Sequence, residues 1–67
     1  MQPALTPTER QVALLVAWGG TNKQIAELLD METQSVEREL QRIYRKLGVR
    51  SRGELVHRSV TGEVKRT

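Results

Sequence analysis

The chain has 67 residues, no cysteine and a formal net charge of +3. A domain of this size buries only about 60% of the surface its unfolded chain exposes, so its core is small, and without cysteine no disulfide or thiolate metal site can staple it. No apolar run approaches the roughly 20 residues that span a bilayer, and the opening MQPALTPTER lacks the charged and apolar regions of a signal peptide, which points to a soluble cytoplasmic domain.

The first expected helix covers residues 7–18 and starts at TPTE, Thr6 to Glu9. There the Thr6 oxygen can accept from the amide of Glu9 while the Glu9 carboxylate reaches back to the amide of Thr6. Pro7 suits the first helical position, where it forfeits no hydrogen bond and its φ is already set. Val12, Leu15 and Val16 mark the face turned to the core, while Leu14 and Trp18, four residues apart, share a separate stripe. Gly19 and Gly20 then offer a left-handed residue to end the helix.

A second capping box, TNKQ from Thr21 to Gln24, opens a helix expected over 22–29, with Ile25, Ala26 and Leu29 facing inward. Only Asp30, Met31 and Glu32 separate it from a third helix over 33–47. So short a link forces the third helix to leave at a steep angle, the helix-turn-helix arrangement. Val36, Leu40, Ile43 and Leu47 follow steps of four, three and four and form one apolar stripe. The opposite face holds Gln34, Arg38, Gln41, Arg42 and Arg45, with Lys46 alongside. Gly48 closes this helix, and a third box, SRGE from Ser51 to Glu54, opens a fourth over 52–60 that contributes Leu55 to the core.

Nothing has the alternation of a strand, so the expected fold is all-α: one four-helix helix-turn-helix domain over residues 1–67, with its core at about 5–60 and a frayed tail at 61–67. Charge is unevenly spread along it. Residues 1–35 hold two bases against four acids, and residues 36–67 hold nine bases against four. A one-sided positive field suits a polyanion, although a charge run is more often simply a solvated face.

The stretches LTPTERQVALLVAWGGTNKQIAELL and SVERELQRIYRKLGVRSRGELV resemble the C-terminal DNA-binding domain of LuxR/FixJ-type (GerE-like) bacterial transcription regulators, over about residues 5–57. The resemblance implies a third helix in the major groove of double-stranded DNA and a fourth helix that pairs two copies as a homodimer on a two-fold site. By position it implies that Asn22 and Lys23 meet the DNA backbone, that Glu37, Arg38 and Gln41 face bases, and that Arg42, Arg45, Lys46, Arg50 and Arg52 meet phosphates. Physical chemistry gives the same division. Phosphate contacts need charge and reach, whereas base readout needs a few side chains near the start of the recognition helix. Arg can bond guanine in bidentate fashion and Gln can bond adenine so, each discriminating by about 1–3 kcal/mol.

Three acids depart from the family's pattern. Glu32 stands where Ser or Thr usually caps the third helix, Glu37 where a base is usual, and Glu39 where His is frequent. Thr33 is then expected to supply the cap. The acids favour the helix dipole by about 0.3–1 kcal/mol, but with Glu27 and Asp30 they set negative charge near the edge that would approach phosphate. Glu37 either accepts from cytosine N4 or orients Gln41 one turn along, or it is a surface acid with no partner. Glu39 points further from the groove and is read as a surface acid.

Other chemistry has little support. Glu54 and His57 form one Glu-x-x-His turn, but a metal site of that kind needs several such pairs, and the chain has one His and no Cys. With no second His and no phosphate-binding glycine loop, neither an enzyme nor a cofactor is expected. The expected function is sequence-specific duplex DNA binding as the output domain of a nucleoid-associated, cytoplasmic transcription regulator. The alternative is a protein-interaction module on the same fold, with Leu14 and Trp18 docking a preceding regulatory domain, RNA polymerase or another partner.

Overall fold

The computed structural model describes residues 4–60, with side chains through Arg58, and the expected frayed tail at 61–67 lies outside them. Four helices follow in order: α1 Pro7–Ala17, α2 Asn22–Leu29, α3 Thr33–Leu47 and α4 Arg52–Val60. No strand occurs among the described residues. The all-α expectation and the four spans agree with this, apart from α1 ending one residue early.

The first two capping boxes form as expected. Thr6 Oγ1 accepts from the Glu9 amide at 3.1 Å while the Glu9 carboxylate accepts from the Thr6 amide at 2.8 Å. At α2 the same pair of bonds joins Thr21 and Gln24, at 3.1 and 2.9 Å. At α4 only half of the box forms: the Glu54 amide donates to Ser51 Oγ at 3.2 Å, but the Glu54 carboxylate accepts from the amide of Arg50 instead of Ser51. The expected Thr33 cap does not form. A capping residue must be extended, and the extended residue before α3 is Glu32, at φ −82° and ψ 152°, which makes no side-chain cap bond; Thr33 is already helical.

The first three helices close in one manner. In each, a left-handed residue lets its own amide and the next one turn back on the last turn of carbonyls. Gly19, at φ 92°, ends α1, with Gly19 donating to Val16 O and Gly20 to Leu15 O, and this is why α1 stops at Ala17. Gly48, at φ 68°, ends α3, with Val49 donating to Tyr44 O at 3.0 Å. Asp30 fills the same role after α2 at φ 54°, where Met31 donates to Ala26 O at 2.8 Å. An aspartate here carries left-handed strain and sets negative charge at the negative end of the helix dipole.

The core gathers Val12, Ala13 and Val16 from α1, Ile25 and Ala26 from α2, Val36, Leu40 and Ile43 from α3, Val49 from the turn and Leu55 from α4. Leu15, Leu29 and Leu47, expected inside, are only partly buried against it. Each fully buried Val, Leu or Ile contributes about 1.5–3 kcal/mol, so α3, with three such residues, is the most heavily invested helix.

One charged residue sits among them. Glu9 is 2% exposed, and its carboxylate bonds Lys46 Nζ at 2.7 Å. Lys46 Nζ also reaches the Ala4 carbonyl at 3.4 Å, tying the end of α3 to the segment before α1. Burial pushes the Glu9 carboxyl up, but the Lys46 hydrogen bond and charge and the Thr6 bonds together outweigh it and hold the carboxyl below its ordinary value.

A carboxyl whose folded-state pKa is depressed stabilises the fold fully above the unfolded value of about 4.5 and loses that contribution as pH falls through the folded value. The urea midpoint should therefore drop as the pH falls below that value. Glu9→Gln should cost about 1–3 kcal/mol at neutral pH by leaving Lys46 without its anion, and its stability should decline less steeply in acid; a variant with the wild-type acid profile would remove Glu9 from this role. Asp30→Gly should stabilise the fold by about 0.5–1 kcal/mol, readable as a raised denaturation midpoint, and an unmoved midpoint would mean that no strain resides there.

Candidate nucleic-acid interface

The helical period that buries Val36, Leu40 and Ile43 turns Gln34, Arg38, Gln41 and Arg45 outward, and all four are exposed. The side chains of Arg38, Gln41 and Arg45 enter no hydrogen bond or ion pair with the described residues, and Glu37 is likewise exposed. These groups stand on one helix, anchored by its buried face, with their polar ends exposed.

The remaining cations divide by what holds them. Arg42 is exposed, yet its guanidinium pairs with Glu39 at 3.0 Å, one turn back on the same helix. The Glu39 side chain is only 13% exposed, lying along the helix flank. Lys46 is engaged with Glu9, its side chain 24% exposed. Lys23 is exposed in the first turn of α2, and Arg50 is exposed between α3 and α4.

Arg52 and Asn22, both half-buried, meet each other. The Arg52 guanidinium donates to Asn22 Oδ1 at 2.8 Å and to the Gly20 carbonyl at 2.6 Å, bridging the start of α4 to the start of α2. The turn it grips is tight, since a Cβ on Gly20 would lie 3.1 Å from the Leu15 carbonyl oxygen and 3.3 Å from Ile25 Cγ1. Arg58, which sequence reasoning passed over, donates to the Leu47 carbonyl at 2.7 Å and so fastens the end of α3 to α4.

Leu14 and Trp18 differ in how far they are exposed. Leu14 packs against the core, whereas Trp18 is 83% exposed. The other large exposed apolar side chain is Leu28 of α2, 70% exposed, and with Trp18 it borders a shallow groove floored by Leu15, Gly20 and Ile25. Among the described residues no group of three or more His, Asp or Glu could hold a metal ion, and no helix is long and apolar enough to cross a membrane.

A helix pair joined by three residues, packed on one core, with an exposed face of Arg and Gln on its second member, is the arrangement of helix-turn-helix proteins of the DNA-binding class. The pattern described as bacterial regulatory proteins, luxR family (GerE), matches residues 3–59, and the chain belongs to that family. It is 47% identical over 53 residues to a protein of Mycobacterium tuberculosis named as an HTH-type transcriptional regulator, a match covering 79% of this chain and 6% of the relative. It is 41% identical over 54 residues to the tetrathionate response regulatory protein TtrR of Salmonella typhimurium, covering 81% of this chain and 26% of that one. A protein of Porphyra purpurea named as the transcriptional regulator ycf29 is 41% identical over 56 residues, covering 84% of this chain and 27% of the relative. The chain thus spans a small part of the mycobacterial relative and about a quarter of the other two. No solved structure matches it.

Adjacent residues should part company when replaced. Lys46→Ala should cost about 1–3 kcal/mol by stranding a buried carboxylate, while Arg45→Ala should stay within about 0.5 kcal/mol. Thermal melts of the two variants decide it, and equal melting temperatures would place Lys46 among the surface cations.

Proposed function

We propose that α3 is a recognition helix that lies in the major groove of duplex DNA, with Arg38, Gln41 and Glu37 toward base edges and Lys23, Asn22, Arg45, Arg42 and Arg50 toward the backbone. The observation that carries the proposal is the exposed row Arg38, Gln41 and Arg45, opposite the buried stripe of the same helix and without polar partners of its own. Lys46 is not part of the set, because its ammonium is already held by Glu9. Arg42 contributes less than Arg45, since phosphate must first displace Glu39. The domain acts as the DNA-binding part of a transcription regulator, and two copies joined through α4 would match a two-fold site.

A second reading rests on Trp18 and Leu28: the same fold as a protein-interaction module, with the acids Glu27, Asp30, Glu32 and Glu37 weakening any approach to DNA. A mobility shift with random duplex at low salt separates the two. A DNA reader retains non-specific affinity there, with Kd about 10⁻⁴ to 10⁻⁶ M even at physiological salt, whereas complete absence of a shift would leave only the interaction module. Arg45→Ala should weaken binding to every sequence and flatten the salt dependence by about one unit of slope. Arg38→Ala should instead relax preference at one base pair, by about 1–3 kcal/mol; undiminished selectivity in that variant would remove Arg38 from the base-reading set.

A further inference from the structure

The geometry points to Arg52 as a positioning residue, which acts on DNA through Asn22 and the first turn of α2 and does not itself contact phosphate. This rests on the reading above, in which the start of α2 meets the DNA backbone, and it changes the role that the family resemblance implies for Arg52.

A guanidinium has only donors, in a planar fork, and it can satisfy two acceptors at once. Here the two are the Gly20 carbonyl at 2.6 Å and Asn22 Oδ1 at 2.8 Å. Because Arg52 can only donate, the Asn22 amide must turn its oxygen toward Arg52, which directs its NH₂ group, the donor end, away from the clamp. Those donors are the ones a phosphate oxygen needs. The capping box at Thr21 takes up the Gln24 amide, and the Thr21 carbonyl takes up that of Ile25, so the amides of Asn22 and Lys23 have no acceptor within the helix. Asn22 is thus oriented beside two helix-start amides and the exposed Lys23 ammonium, all at one corner.

The corner needs external support. The Gly19–Gly20 turn that leads into α2 has Gly19 in the left-handed region, and α4 packs chiefly on α1, whereas α2 packs chiefly on α3. Arg52 is the side chain that bridges α4 to the start of α2. Its half-buried guanidinium has both terminal nitrogens occupied, unlike the open ends of Arg38 and Arg45.

Lysine at position 52 keeps the charge but cannot span both acceptors in one plane, so Arg52→Lys separates the two roles. Positioning predicts that Arg52→Lys weakens duplex binding about tenfold, as expected for loss of a charge-assisted hydrogen bond, with the salt slope unchanged. Asn22→Ala should weaken it comparably, and the double variant should be no weaker than the worse single one. A direct phosphate contact predicts the opposite: near-normal binding by Arg52→Lys, a slope lower by about one unit for Arg52→Ala, and effects that add to Asn22→Ala. That result overturns the proposal, as does an Arg52→Lys protein that melts earlier but binds DNA normally while folded. A DNA-free arm keeps the clamp distinguishable from the DNA reading. Asn22 is the sole asparagine of the chain, so its side-chain NH₂ resonances are identifiable by NMR. They should be well dispersed in the wild type and collapse toward random-coil positions in Arg52→Lys; unshifted resonances overturn the clamp. Should the wild type bind no duplex while the resonances behave as described, the clamp stands as a structural link but its role toward phosphate is overturned along with the DNA reading.

Discussion

α3 must bury one face completely to make a core and keep the opposite face wholly polar. In a chain of 67 residues the core rests mainly on two helices, α1 with Val12, Ala13 and Val16 and α3 with Val36, Leu40 and Ile43. Once those are buried, the helical period leaves no choice about where Arg38, Gln41 and Arg45 point. Stability and presentation of the cationic face are therefore one constraint. Any rotation of α3 about its axis that moved Arg38 would also expose part of the stripe, at about 1.5–3 kcal/mol for each side chain.

The orientation of α3 is then held at its far end by polar bonds of two kinds. Arg58 takes the Leu47 carbonyl, one of the groups a helix end leaves unpaired, and ties it to α4. Lys46 reaches in the other direction, to Glu9 and the Ala4 carbonyl on α1 and the segment before it. A buried ion pair gains little over a well-packed apolar one in net stability, since the desolvation of both groups offsets their attraction. What it does supply is direction. Glu9 is fixed by its capping bonds with Thr6, so Lys46 has one place to go, and the register between α1 and α3 follows from it.

Local signals made most of the fold legible. TPTE and TNKQ specify helix starts through side chains three residues apart, and Gly19 and Gly48 specify ends through a backbone region that few residues tolerate, so these needed no knowledge of distant contacts. Asp30 was less visible, because an aspartate is only an occasional left-handed residue. The candidate site was legible where it depends on helical period, as for Arg38, Gln41 and Arg45. It was not legible where residues 30 or more apart meet. Nothing near Lys46 announces that its partner is Glu9, and nothing near Arg52 announces Gly20 and Asn22. A hint did exist: a glutamate used in a capping box still has acceptor capacity on its carboxylate, and in a first turn that faces the core a cation has to meet it. The spacing of four between Leu14 and Trp18 shows that the two share a stripe but not what lies across from it, and the core takes up part of Leu14.

These pairings change what the net charge means. The second half of the chain looks strongly basic in sequence, yet Lys46 is neutralised by Glu9 and Arg42 by Glu39, while Arg52 is spent on internal acceptors. The cations with open ends named above are Lys23, Arg38, Arg45 and Arg50, with Glu32 and Glu37 beside them. Counterion release scales with the number of phosphates neutralised, at a slope of about −0.9 for each. Among the described residues the proposed reading sets Lys23, Arg45 and Arg50 toward phosphate with open ends, and Arg42 once Glu39 is displaced, which amounts to a shallow electrostatic hold that the acids reduce further. On the proposed reading, a single domain so furnished would gain little from non-specific attraction, and its discrimination would come from base edges and from a second copy on an adjacent half-site, where the two contributions combine as an effective concentration instead of as more charge.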